Sequence, residues 1–176
     1  TRTLRAGLVQ VLLPEVAQVA HLRATATLTG PLPLLAGPVR LARGDEQRQH
    51  LVGRSKLDFV GAGEPFELGF GPDDSVRVRR EEETERDTAW VTGAQTIKRS
   101  VRVDLSNLST DVKKVLVQER VPVSEIDEVS VTVQAQGWEQ DKDGFLRRVV
   151  ELSPRGEETL VFTYTLKAAS KVRLPF

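Results

Sequence analysis

The feature that most constrains this chain is an apolar–polar alternation with a period of two. Val76-Arg77-Val78-Arg79 and Val101-Arg102-Val103-Asp104-Leu105 alternate apolar with charged residues. Val129-Ser130-Val131-Thr132-Val133 does the same with small polar partners. Successive side chains of an extended chain point to opposite faces, so each run predicts a strand with one face buried and one wet. Leu22 to Leu28, Phe66-Glu67-Leu68-Gly69-Phe70 and the β-branched and aromatic run Leu160 to Leu166 predict further strands. Helix signals are poor. Leu12 to His21 has the length of a short turn, and Glu81 to Asp87 has helix-friendly charges without an apolar stripe. The latter reads as a solvated connector or an extended charged strand.

Turn chemistry separates the runs. Thr29-Gly30-Pro31 and Ala36-Gly37-Pro38 bracket a proline-rich passage that cannot be a central strand. Arg43-Gly44-Asp45 ends a strand over Val39 to Ala42, and Gly61-Ala62-Gly63 and Gly71-Pro72-Asp73-Asp74 read as loops. Asp143-Gly144 and Pro154-Arg155-Gly156 read as tight turns. Short strands spaced by such turns predict an all-β, antiparallel, sandwich-like fold. The expected organisation is two linked β-sandwich halves, 1–80 and 88–176, with 81–87 as a charged connector, together forming one unit.

Composition excludes several kinds of chemistry. The chain has 25 basic and 25 acidic side chains and a net charge of zero, without the basic excess of a nucleic-acid binder. No apolar run is long enough for a membrane-spanning helix. Cysteine is absent, which removes disulfides, thiolate nucleophiles and thiolate metal sites. The two histidines, His21 and His50, have no triad-like neighbours, so no catalytic, cofactor-binding or metal-ligating residue is assigned and no cofactor is expected. The opening Thr1-Arg2-Thr3-Leu4 and the lack of methionine predict a piece of a larger protein. Its compartment, cytoplasm or cell envelope, is left open.

Four local signals are weighed against plainer readings. Glu139-Gln140-Asp141-Lys142-Asp143-Gly144 spaces its acids like the start of a calcium loop, but Val150 stands where the bidentate glutamate belongs, and Glu151 comes one residue late. A hairpin tip is the simpler account, since Asp-Gly favours such turns. Arg43-Gly44-Asp45 spells an adhesion tripeptide that is also ordinary turn chemistry. Trp90 and Trp138, with Tyr164, are the ligand candidates: exposed rings on a β-sandwich can stack on a sugar, whereas buried ones simply pack. Glu119 and Asp127 are carboxylates that a hydrolase would need to bring across one cleft.

The order of motifs resembles the C-terminal domain of unknown function in the mucoidy inhibitor A-like family. The likeness runs from about Val11 to Lys171. It is carried by Pro33-Leu34-Leu35-Ala36-Gly37-Pro38-Val39, by Val52-Gly53-Arg54-Ser55 and by the passage from Gly63 to Asp73. In the second half it is carried by Asn107, by Glu119-Arg120-Val121-Pro122-Val123-Ser124, by Asp143-Gly144 and by Leu152 to Glu157. Ala36 and Ala62 replace residues that are often proline in that family, and Leu146 stands where an aromatic is common. The resemblance implies a larger protein with an N-terminal β domain and a coiled coil, and a link to the envelope or exopolysaccharide. It brings no catalytic residues.

The expectation is a non-enzymatic interaction or structural module. Its partner is expected to be protein, either its own upstream coiled coil or another chain that adds a strand to an exposed edge. The alternative is a carbohydrate-binding module using Trp90 and Trp138.

Overall fold

A computed structural model describes residues 3–44, 48–90 and 93–172. Those residues form eleven strands and no helix. The strands are β1 (Ala6–Leu12), β2 (Val19–Thr27), β3 (Gly37–Gly44), β4 (Gln49–Leu57), β5 (Pro65–Thr88) and β6 (Gln95–Asn107). They continue with β7 (Lys113–Arg120), β8 (Val129–Gln134), β9 (Glu139–Gln140), β10 (Phe145–Leu152) and β11 (Glu157–Ala168). The predicted all-β class is correct.

Nine strands form one sheet in the order β8-β11-β6-β5-β2-β1-β7-β10-β9, and β3 and β4 form a separate ribbon. Every pairing is antiparallel except β1 with β7. The sheet folds over on itself because β5 changes partner along its length. Residues 65–72 and Arg77 lie against β2, and 76–88 lie against β6. The register against β2 slips near His21, and Gly71 there has φ +79°, a conformation that favours glycine. The predicted loop at Gly71 to Asp74 is therefore an irregularity inside a 24-residue strand.

The alternation explains the core. Odd-numbered Val101, Val103 and Leu105 of β6 and Val115 and Val117 of β7 are buried, as are even-numbered Leu160, Phe162, Tyr164 and Leu166 of β11. They meet Leu12, Ala20, Val76, Val78, Leu146, Val150 and Leu152 in one cluster between the folded layers. Each fully buried large side chain contributes roughly 1.5–3 kcal/mol. Of the two readings of 81–87, the extended charged strand holds and the connector does not: these residues continue β5, paired from Glu81 with Arg102 to Asp87 with Thr96. Residues on both sides of it enter the same cluster.

Two buried polar knots tie the layers. Asn107 donates from Nδ2 to the carbonyls of Asp111 (2.7 Å), Leu152 (3.2 Å) and Ser153 (2.9 Å), and its Oδ1 accepts from the Ser109 amide and hydroxyl. Asp73 accepts from Gln10 Nε2, Ser75 Oγ, the Ser75 amide and Lys113 Nζ, so it links β5 to β1 and β7. Burial raises the Asp73 pKa, but these donors outweigh it and hold the carboxyl at about 2.

Candidate functional site

The alternation that buries Val115 and Val117 also turns Glu119, two residues on, into the interior at the end of β7. Its side chain is fully buried, and its Oε1 accepts from Arg80 Nε at 3.1 Å. Arg80 also pairs with Glu82 Oε2 at 2.9 Å, and Glu82 Oε1 pairs with Arg99 Nη1 at 3.0 Å. Arg99 then donates to the Tyr164 hydroxyl at 3.2 Å. A chain of alternating charge therefore crosses this end of the fold from β7 through β5 and β6 to β11. Burial pushes the Glu119 carboxyl above its ordinary pKa despite Arg80, and burial likewise raises the Tyr164 phenol against the pull of Arg99.

Two adjoining concavities lie over this network. One, of about 430 Å³, is lined by Leu13, Val16, Gln118, Phe145 and residues Glu15, Glu119 and Arg120. The second, of about 340 Å³, shares Glu15 and Arg120 and adds Arg99, Tyr164 and Val121-Pro122-Val123. The β1–β2 turn brings Leu13, Glu15 and Val16 to the rim, closed by the Val16 and Ala17 amides donating to the Leu13 carbonyl. Leu13, Val16 and Val123 are exposed there, so apolar side chains stand beside charge at this surface.

Arg120 stands between the two concavities. Its register partner on β10 is Phe145, and its guanidinium carbon lies 5.4 Å from the Phe145 ring centroid. Arg147 lies over the same ring at 5.5 Å. Arg147 is spent on Asp141 (2.8 Å), whereas Arg120 is exposed and makes no ion pair among the described residues. Gly144 fixes this arrangement. It has φ +82°, and a Cβ there would meet the Val121 carbonyl oxygen at 2.3 Å, the same stretch where the Val121 amide donates to the Gly144 carbonyl.

The residues singled out in the sequence are scattered. Trp90 lies just past β5, at the turn into β6, and is 94% exposed. Trp138 is half-buried, packs edge-on against Phe162 at 5.3 Å, and its Nε1 has no hydrogen-bond partner among the described residues. Phe162 pairs with Val101, six residues along β6 from Gln95 at the hairpin end, so the two indoles are about 20 Å apart along the strand direction. They do not form one stacking platform, and Tyr164 is buried.

Asp127 is exposed on the connection into β8, and no hydrogen bond joins it to Glu119 among the described residues. His21 on β2 and His50 on β4 are both exposed. Asp141 uses both oxygens within its own hairpin, accepting from the Asp143 and Phe145 amides and from Arg147. No group of three or more metal-type ligands converges among the described residues. Of the Arg43-Gly44-Asp45 tripeptide, Asp45 lies outside the described residues.

The segment Glu119 to Ser124 carries the family likeness, and in the sequence only Glu119 of it stands out as a site candidate. The fold makes four of those residues, Arg120, Val121, Pro122 and Val123, walls of the second concavity. A family model described as a domain of unknown function, DUF4139, matches residues 10–170. No curated protein and no solved structure matches the chain. No helix among the described residues is long and apolar enough to cross a membrane.

Proposed function

The chain belongs to the DUF4139 family over residues 10–170, and we propose that it is a non-enzymatic interaction module whose docking surface is the groove around Arg120. The observation that carries this reading is Arg120 itself. It is a guanidinium stacked on Phe145, flanked by the exposed Leu13, Val16 and Val123, and not neutralised by an ion pair among the described residues. An arginine held on an aromatic face with apolar neighbours is the composition of an interface anchor. The Glu119–Arg80–Glu82–Arg99 network, anchored on the buried Glu119, stiffens the floor beneath it. In this reading the charges of the network hold strands in place, since each carboxylate is already committed to a cation.

The likeness to mucoidy inhibitor A-like proteins extends the same reading. There the module would sit beyond a coiled coil, and the occupant of the groove would be protein, from that coiled coil or from another chain. A link to the envelope or exopolysaccharide belongs to this proposal. The carbohydrate alternative rests on Trp90 alone, because Trp138 is packed against Phe162.

The test is site-specific photocrosslinking in native cells. A photoreactive residue replaces Val16 at the groove rim, with the exposed Lys56 on the separate β3–β4 ribbon as control. A discrete crosslinked protein band from position 16 and none from 56 supports the reading. No band above the control contradicts it.

A further inference from the structure

The last third of β5 presents a free strand edge. Strand β2 pairs with β5 only as far as Arg77, so from Arg79 to Thr88 the only strand beside β5 among the described residues is β6. The direction of its backbone groups follows from three contacts. The Leu108 amide donates to the Ser75 carbonyl, and the Ala89 amide donates to the Ala94 carbonyl, so odd-numbered residues of β5 bond to the β6 side. The Arg80 amide points the other way and donates to Gln18 Oε1 at 3.0 Å. The register from Val76 to Thr88 is unbroken, so Glu82, Thr84, Arg86 and Thr88 aim their N–H and C=O groups outward as Arg80 does. Gln18 already supplies a carbonyl to the first of these outward donors. The four beyond it form a row with no strand opposite among the described residues, all on exposed residues.

The side chains specify what such a row would accept. Val76 and Val78 face the core, so the odd-numbered residues face outward, and these are Glu81, Glu83, Glu85 and Asp87. On β6, Glu83 and Asp87 stand opposite the neutral Ser100 and Thr96, so their charge is not balanced across the ladder. A strand laid against this edge places alternate side chains beside the acids. Opposite charges at such positions are favourable and like charges are not. A second copy pairing through the same edge would set acid against acid, so self-association there is disfavoured. Trp90, 94% exposed at the end of the row, offers an apolar contact for the end of an added strand.

We infer that the outer edge of β5 over residues 81–88 takes up an extended segment of a partner protein whose basic residues alternate with neutral ones. This surface is distinct from the Arg120 groove, and failure at either leaves the other standing. The test uses a peptide, acetyl-Lys-Thr-Lys-Val-Lys-Thr-Lys-amide, titrated into the full chain, with amide NMR shifts and Trp90 fluorescence as readouts. Saturable shifts centred on Glu82, Thr84, Arg86 and Thr88 are expected, weakening with added salt. The same peptide with glutamate for lysine is expected not to bind. Thr84→Pro removes one outward N–H without touching the β6 ladder and is expected to weaken binding at least tenfold. Should that variant misfold, Glu83→Lys with Asp87→Lys is expected to abolish binding of the lysine peptide. No shifts, shifts centred on another edge such as β8, or equal binding of the glutamate peptide would overturn the inference.

Discussion

Glu119 is fully buried on β7 with its carboxylate 3.1 Å from the Nε of Arg80 on β5, and Arg80 is in turn shared with Glu82. The pair is asymmetric. Removing Arg80 strands a buried carboxylate, whereas removing the Glu119 charge leaves Arg80 with Glu82. Arg80→Met is therefore expected to cost about 3–5 kcal/mol in urea unfolding near neutral pH, the range for breaking a buried pair from one side. Glu119→Gln is expected to cost much less.

The pH dependence separates two buried carboxyls. The Glu119 pKa is raised by folding, so its contribution is fully present below the ordinary 4.5 and is lost as pH rises through the folded value. Asp73 has the opposite sign. Its folded pKa of about 2 lies below the ordinary 3.8, so its contribution is present above 3.8 and is lost as pH falls toward 2. Asp73→Asn is expected to flatten the acid limb of stability measured against pH. Glu119→Gln is expected to remove a decline that begins above 4.5.

Asn107 joins the end of β6 to the ends of β10 and of the loop before β7. Its replacement by alanine takes the side-chain donor from the buried Leu152 carbonyl and the acceptor from the Ser109 amide, whereas the Asp111 and Ser153 carbonyls keep the Ser109 hydroxyl and the Gly156 amide. At about 1–3 kcal/mol for each unsatisfied group, and with partial relaxation, Asn107→Ala is expected to cost roughly 2–4 kcal/mol in chemical denaturation.

The strands are largely legible in the sequence. Leu22–Leu28, Val76–Arg79, Val101–Leu105, Val129–Val133 and Leu160–Leu166 all fall wholly or mostly within strands, because a half-buried strand writes its two faces into alternate residues. Strand β7 was harder to see, since Val115-Leu116-Val117 is a continuous apolar run. Residues 81–87 read equally as a connector or a charged strand because both faces of an overhanging edge are wet, leaving charge on every side and no alternation. The groove was not legible. Arg80 and Glu119 are 39 residues apart, and Phe145 meets Arg120 only through the β7–β10 register. One signal did exist: Glu119 continues the inward parity of Val115 and Val117, which marks it as a buried acid in need of a cation.

Gly144 holds the β10 end against Val121, where φ +82° and the nearby carbonyl oxygen leave no room for a side chain. Gly144→Ala is expected to cost at least roughly 1–3 kcal/mol in thermal or urea unfolding. It is also expected to displace Phe145 from Arg120, seen as altered ring shifts in NMR.

The most direct test of the binding reading is charge reversal at Arg120. In the crosslinking assay from position 16, Arg120→Glu is expected to abolish the crosslinked band while costing only about 0.5–1 kcal/mol of stability, since Arg120 is exposed, forms no ion pair among the described residues and gives up only its stacking on Phe145. A crosslinked band of undiminished intensity in that variant would contradict the assignment of this groove as the docking surface.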